Sequence, residues 1–266
     1  MKFFAQCLAA MLLSPVAAIS QSFPAEFNVL QGWKTDRGSY IAAFEFRLEQ
    51  GWKTYWRSPG DAGIPPSLDL KKSKNLDSFI LHWPKPTVYE EGGTRTVGYA
   101  DRFVLPIEIF PKNGAKETKL SGSINIGVCQ DICVPIGFRF SSPLWQDGQD
   151  QADIKAALDL VPPKTEGLNV QGLGCQVDPI SDGMQITAQV PARNVPDPMA
   201  VIIEHRNPEV WVSSVEVENA GRSLTMMADL VPADAAPFAL DRRDITVTVI
   251  GKDAALEIEG CPAPGS

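Results

Sequence analysis

One stretch, Ser121–Phe140, constrains this chain more than any other: it reads SGSINIGVCQDICVPIGFRF. Ile124, Ile126 and Val128 fall on even positions, and so do Val134, Ile136, Phe138 and Phe140. Side chains alternate faces along a strand with period two. The even positions therefore form the core face of two strands. Only Gln130, Asp131 and Ile132 separate Cys129 from Cys133, a connection short enough for a hairpin. Strands paired around it place the cysteines opposite each other. Facing antiparallel residues have Cα atoms about 4.5–5.5 Å apart, within the roughly 4.4–6.8 Å that a disulfide spans. Asn125, Gly127, Pro135, Gly137 and Arg139 share the cysteines' face and are small or polar. The expectation is an outward, open pair that another protein's thiolate can reach. The competing reading is a structural clasp. A loop this short restrains little unfolded-chain entropy, which tips the reading toward redox chemistry.

Residues 1–20 predict a signal peptide. Lys2 precedes the apolar run Phe3–Leu13, and Pro15, Ala17, Ala18 and Ser20 supply a small-residue cleavage zone near 18–21. The run is shorter than the roughly 20 apolar residues that span a bilayer. A soluble, exported protein is expected. Its cysteines would be Cys129, Cys133, Cys175 and Cys261, and four cysteines allow three pairings. Spacing favours Cys129–Cys133 and Cys175–Cys261. The second pair reads as a structural staple, worth roughly 4–5 kcal/mol on the entropic view of so long a loop.

A net charge of −8 argues against nucleic acid, which needs a basic face. His82 and His205 are the only histidines and lie far apart, so a His-based metal site or a Ser-His-Asp hydrolase is hard to build. No metal or cofactor is expected. From Phe27 to Leu144, short alternating runs such as Tyr40–Leu48 and Phe103–Phe110 are broken by Gly and Pro, as in a β-sandwich. Residues 150–160 read as a short helix behind Asp150, a possible N-cap, and end at Pro162-Pro163. Strand patterns return over Met184–Val190, Ala200–His205, Val210–Val217, Leu224–Leu230, Ile245–Ile250 and Ala255–Ile258. The expected organisation is all-β, with two tandem sandwiches over 21–147 and 166–266 joined by a helix and linker over 148–165.

Three segments, in order, resemble the N-terminal periplasmic domain of the thiol:disulfide interchange protein DsbD family and its relatives in suppressor-of-copper-sensitivity systems. They are Gly51-Trp-Lys-Thr-Tyr-Trp56, then Trp83-Pro-Lys-Pro86 with Gly98-Tyr-Ala-Asp-Arg-Phe-Val-Leu-Pro106, then Gly127-Val-Cys-Gln-Asp-Ile-Cys-Val-Pro135. The resemblance covers most of 25–145. It implies immunoglobulin-like sandwiches and an electron relay acting as a protein-disulfide reductase component. A membrane thiol transporter of the DsbD/CcdA type would reduce the pair. The pair would then reduce a periplasmic thioredoxin-like oxidoreductase or cytochrome-maturation proteins. By position Cys129 and Cys133 match the redox pair, and Cys133, before Val134-Pro135, matches the cysteine that forms the mixed disulfide. Tyr55 matches a position near the active site. Tyr89 lies in the stretch Tyr89–Thr94, where the family shields its pair with an aromatic ring. Arg139, on the cysteine face, would favour a nearby thiolate. The alternative function is a non-catalytic exported β-sandwich binding module with two structural disulfides.

Overall fold

The computed structural model describes residues 24–144 and 146–265, so the leader expected over 1–20 lies outside the described residues. The first half of the chain folds into β1 (Ala25–Lys34), β2 (Tyr40–Leu48), β3 (Lys53–Gly60), β4 (Ser67–Asp69), β5 (Leu76–Leu81), β6 (Thr87–Glu91), β7 (Thr94–Ala100), β8 (Arg102–Pro111), β9 (Lys119–Cys129) and β10 (Cys133–Pro143). One sheet has the order β1-β2-β8-β5 and the other β10-β9-β3-β7-β6, with β4 also on β9. The two face each other across a core that includes Phe44, Phe46, Ile107, Ile124, Val128 and Trp56. Among the described residues strand β10 is an edge, and its eleven register pairs with β9 run unbroken from Cys133↔Cys129 to Pro143↔Lys119.

Helix α1 (Gln151–Asp159) explains why β2 is apolar on both faces. Phe44 and Phe46 point into the main core, while Ile41 and Ala43 meet Ile154 and Ala157 of the helix on the other side. Asp150 does not cap this helix with its side chain, contrary to the sequence reading. Its carboxylate instead accepts a 2.7 Å hydrogen bond from the Gln31 backbone N–H, docking the helix onto β1.

The second half adds β11 (Lys164–Glu166), β12 (Gly174–Ile180), β13 (Gly183–Pro191), β14 (Pro198–His205), β15 (Trp211–Val212), β16 (Glu216–Asn219), β17 (Ser223–Val231), β18 (Ile245–Gly251) and β19 (Ala255–Glu259). These form sheets β11-β19-β18-β14 and β12-β13-β17-β15, with β16 also on β17. Between them lies a separate core holding Cys175 and Cys261, which are bonded to each other. The run expected as one strand over Val210–Val217 is two. It breaks at Ser213, whose hydroxyl accepts a hydrogen bond from the Asp229 backbone N–H. Among the described residues, no helix is long and apolar enough to cross a membrane.

The halves meet at Arg57 of β3. Its guanidinium donates to both oxygens of Glu204 on β14 at 2.7–3.1 Å and to Glu257 on β19 at 2.7 Å. Lys164 reaches the same Glu257 at 2.6 Å. Burial pushes the Glu257 carboxyl up, but Arg57 and Lys164 outweigh it and hold the group below its ordinary value of 4.5. A folded-state value below the unfolded one gives stability that is present above about pH 4.5 and lost as pH falls through the folded value. We therefore expect the melting temperature to fall on acidification below that point. Glu257→Gln should flatten this acid limb, and an unchanged acid limb in that variant would rule Glu257 out as its source.

Candidate functional site

The site is built on β9 and the two strands beside it. Cys129 ends β9, Cys133 begins β10, and the two are disulfide-bonded with Cα atoms 4.1 Å apart. Gln130, Asp131 and Ile132 form the tip, closed by the Gln130 N–H donating to the Ile132 carbonyl at 3.1 Å. The parity reading of the hairpin holds: Ile124, Ile126, Val128 and Ile136 are buried, and the cysteines lie on the other face. The expectation that this face is open holds for one cysteine only. Cys133 is exposed, as is Ile132 at 66%, but Cys129 is 2% exposed.

Strand β3 is the reason. It pairs Lys53 with Cys129 and Thr54 with Val128, and the Thr54 hydroxyl donates to the Gly127 carbonyl at 2.8 Å. That register points Tyr55, two residues beyond Lys53, along the cysteine face. Its hydroxyl donates to Cys129 Sγ at 2.8 Å and lies 3.4 Å from Cys133 Sγ. Burial, then the charge of Glu91, pushes the Tyr55 phenol above its ordinary 10.0. The group therefore remains an O–H donor across the physiological range.

A second cover comes from residues 61–66, which sequence reading did not single out. Strands β3 and β4 both pair with β9, at residues 128–129 and 123–125, and the segment between them straps over the interval. Gly63 lies against the Tyr55 ring: a Cβ there would sit 2.5 Å from a ring carbon, and its φ of +127° suits glycine. Ile64 lies on Gly127, where a Cβ would come within 2.6 Å of the Ile64 side chain. The small residue at 127 thus admits the strap rather than leaving space for a partner. Asp61 ties the strap down. Its N–H donates to the Arg95 carbonyl at 2.9 Å, and its carboxylate accepts from the Arg95 N–H at 2.8 Å. The Ser214 side chain, ahead of Arg95, holds that carboxyl below its ordinary 3.8.

The other expected lining residues separate. Tyr89 lies one residue removed from the pair: Lys53, the register partner of Cys129, holds its Nζ 4.9 Å from the centre of the Tyr89 ring and bonds Glu91 at 2.7 Å. The stretch Tyr89–Thr94 is the tip of the β6–β7 hairpin, turning at Gly92 and Gly93, and Glu90 pairs with Arg95. Arg139 does not reach the site. It pairs with Ser123, six residues from Cys133 along β10, about 20 Å at the usual rise. There it lies beside Lys72, Lys74 and Lys119, so it cannot tune a thiolate at the pair.

Cys175 and Cys261 make a contrasting pair. Both are buried, at 0% and 1%, and the Cys175 N–H donates to the Pro262 carbonyl at 2.8 Å. A bond so enclosed offers no sulfur to an external thiolate. The first pair does: an incoming thiolate meets Cys133 from solvent while the departing sulfur, Cys129, already accepts a hydrogen bond.

Residues 23–143 match the family model described as the N-terminal domain of the thiol:disulfide interchange protein DsbD. The chain is also similar to the crystal structure of the N-terminal periplasmic domain of ScsB from Proteus mirabilis. The TM-score is 0.66 and the identity 21%, over 93% of this chain and 97% of that one, a likeness that shows the fold. No curated protein matches.

Proposed function

We propose, on the premise that residues 23–143 form a domain of the DsbD N-terminal family, that this chain is a periplasmic thiol–disulfide exchange protein working through Cys129 and Cys133. The observation that carries this reading is the asymmetry of the pair: Cys133 exposed, Cys129 buried under the Tyr55 hydroxyl. Attack by a partner's thiolate on Cys133 Sγ forms a new S–S bond and breaks the Cys129–Cys133 bond. The electron pair leaves on Cys129 Sγ, where the Tyr55 O–H stabilises it. A second thiolate of the partner then displaces Cys133, leaving this protein a dithiol and the partner oxidised. Two electrons have moved, as in any thiol–disulfide exchange. The electron source is a membrane thiol transporter of the DsbD/CcdA type. The recipient is a thioredoxin-like oxidoreductase or a cytochrome-maturation protein. Residues 21–147 and 166–266 act as the redox domain and a companion domain held by Cys175–Cys261.

Reduction potentials test the proposal. Structural bonds in exported proteins lie below about −300 mV, and exchange-active ones higher. Cys129–Cys133 should fall on the upper side and Cys175–Cys261 on the lower. Equal potentials for the two bonds would return the chain to the binding-module reading. Tyr55→Phe should slow reduction of the first bond by a small dithiol about tenfold, the size of one hydrogen bond to a developing charge.

A further inference from the structure

The two halves touch at residues that flank the redox site. Arg57 lies two positions after Tyr55 on β3 and is held from the second half by Glu204 and Glu257. Its guanidinium also stacks on Trp56, with 4.2 Å to the ring, and Trp56 is 1% exposed in the first core. Four residues on, Asp61 anchors the strap to Arg95, and Ser214 of the second half stands near enough to its carboxylate to favour the charged form. Tyr55, which covers Cys129, precedes these two anchors; Gly63, against the Tyr55 ring, and Ile64, against Gly127, follow them. A further tie between the halves, Lys85 Nζ to the Lys252 carbonyl at 2.9 Å, is not on β3 or the strap.

We infer that the second half is a working part of the redox site, with Arg57 and Asp61 as positioning residues through which it holds Tyr55 over Cys129 and the strap against the Tyr55 ring. The inference rests on the assignment of Cys129–Cys133 as the exchange-active pair. A carboxylate fork on a planar guanidinium fixes orientation as well as distance. It therefore sets where β3 lies, and with it the Tyr55 hydroxyl. The strap has few buried apolar contacts of its own, the property of segments that open locally at low cost. Its closure accordingly depends on the Asp61 anchor. The consequence is selectivity: the brace keeps Cys129 from external reagents and leaves Cys133 as the sulfur that reacts.

Alkylation of the reduced protein tests this without reference to any partner. The full chain is reduced at a dose that leaves Cys175–Cys261 bonded, and iodoacetamide labelling of Cys129 and Cys133 is followed by peptide mass. In the native protein Cys133 should label about tenfold faster than Cys129. Glu204→Ala and Asp61→Ala should each cut that ratio about threefold or more by raising the Cys129 rate, measured well below the melting temperature of each variant. Lys85→Ala loosens the boundary away from the site and should leave the ratio at its native value. Two results overturn the inference: an unchanged ratio in both Glu204→Ala and Asp61→Ala, or a ratio that falls as far in Lys85→Ala. A low reduction potential for Cys129–Cys133 would instead defeat the exchange function while leaving the labelling result to be read by itself.

Discussion

Cys129→Ser should accumulate as a mixed disulfide with an oxidised thioredoxin-like oxidoreductase, and Cys133→Ser should not. The first variant keeps the exposed thiol and loses the group that resolves the adduct. The Cys133 thiolate attacks the oxidoreductase disulfide, a new inter-protein S–S bond forms, and the displaced partner sulfur departs as a thiolate. Without Cys129, no neighbouring thiol is at hand to attack Cys133 Sγ and release the partner's bonded sulfur, so the adduct persists. The second variant retains only Cys129, which is 2% exposed and covered by Tyr55, and its thiolate cannot align with a bulky disulfide. The difference should approach all or none on a non-reducing gel. Capture by Cys133→Ser at a rate equal to that of Cys129→Ser would invert the assigned roles. Capture by neither would remove the exchange function.

The two disulfides should also separate in what they hold together. Cys175 and Cys261 are 86 residues apart, Cys129 and Cys133 only four. On the chain-entropy view the long loop is worth about 4–5 kcal/mol and the short one about 2. Replacing Cys175 and Cys261 together by Ala should cost most of the former, because both sulfurs also pack in the second core. That loss is a large share of a typical domain's stability of about 5–15 kcal/mol. Replacing Cys129 and Cys133 together should cost about half as much or less. Denaturant unfolding of the two double variants measures the pair. The reverse order would make the hairpin bond the clasp and the long bond dispensable.

Much of the fold is written in the alternation of the sequence. The run Tyr40–Leu48 coincides with β2 to the residue, and the even positions Ile124, Ile126, Val128 and Ile136 do line a core. What alternation does not carry is the third dimension. Parity puts Arg139 on the same face as Cys133, and that is correct. Parity says nothing of distance along the strand, and six residues carry Arg139 out of reach. Likewise the odd positions of β9 face away from the core, yet Cys129 is buried because β3 arrives from elsewhere in the chain and brings Tyr55 over it. Residues 61–66 have no periodicity to read, and the stretch Asp61-Ala-Gly-Ile-Pro-Pro66 signals only a turn-rich connection. Its packing onto Tyr55 depends on a single close approach at Gly63, which no local pattern encodes. Tyr55 itself was legible through family resemblance alone. Its neighbours Trp52 and Trp56 are equally aromatic, and Trp56 belongs to the core.

If Cys129–Cys133 exchanges as proposed, a strand left unpaired beside it among the described residues carries a hazard. An exposed row of backbone N–H and C=O groups invites a second molecule to add its own strand, and a sulfur at one end could then lock the accident covalently. The edge on β10 is interrupted against this. Pro135, two residues from Cys133, has no N–H to give, Pro143 closes the far end, and Arg139 sets a charge between them. Self-association by strand addition is thereby discouraged along the one border where exchange would make it permanent.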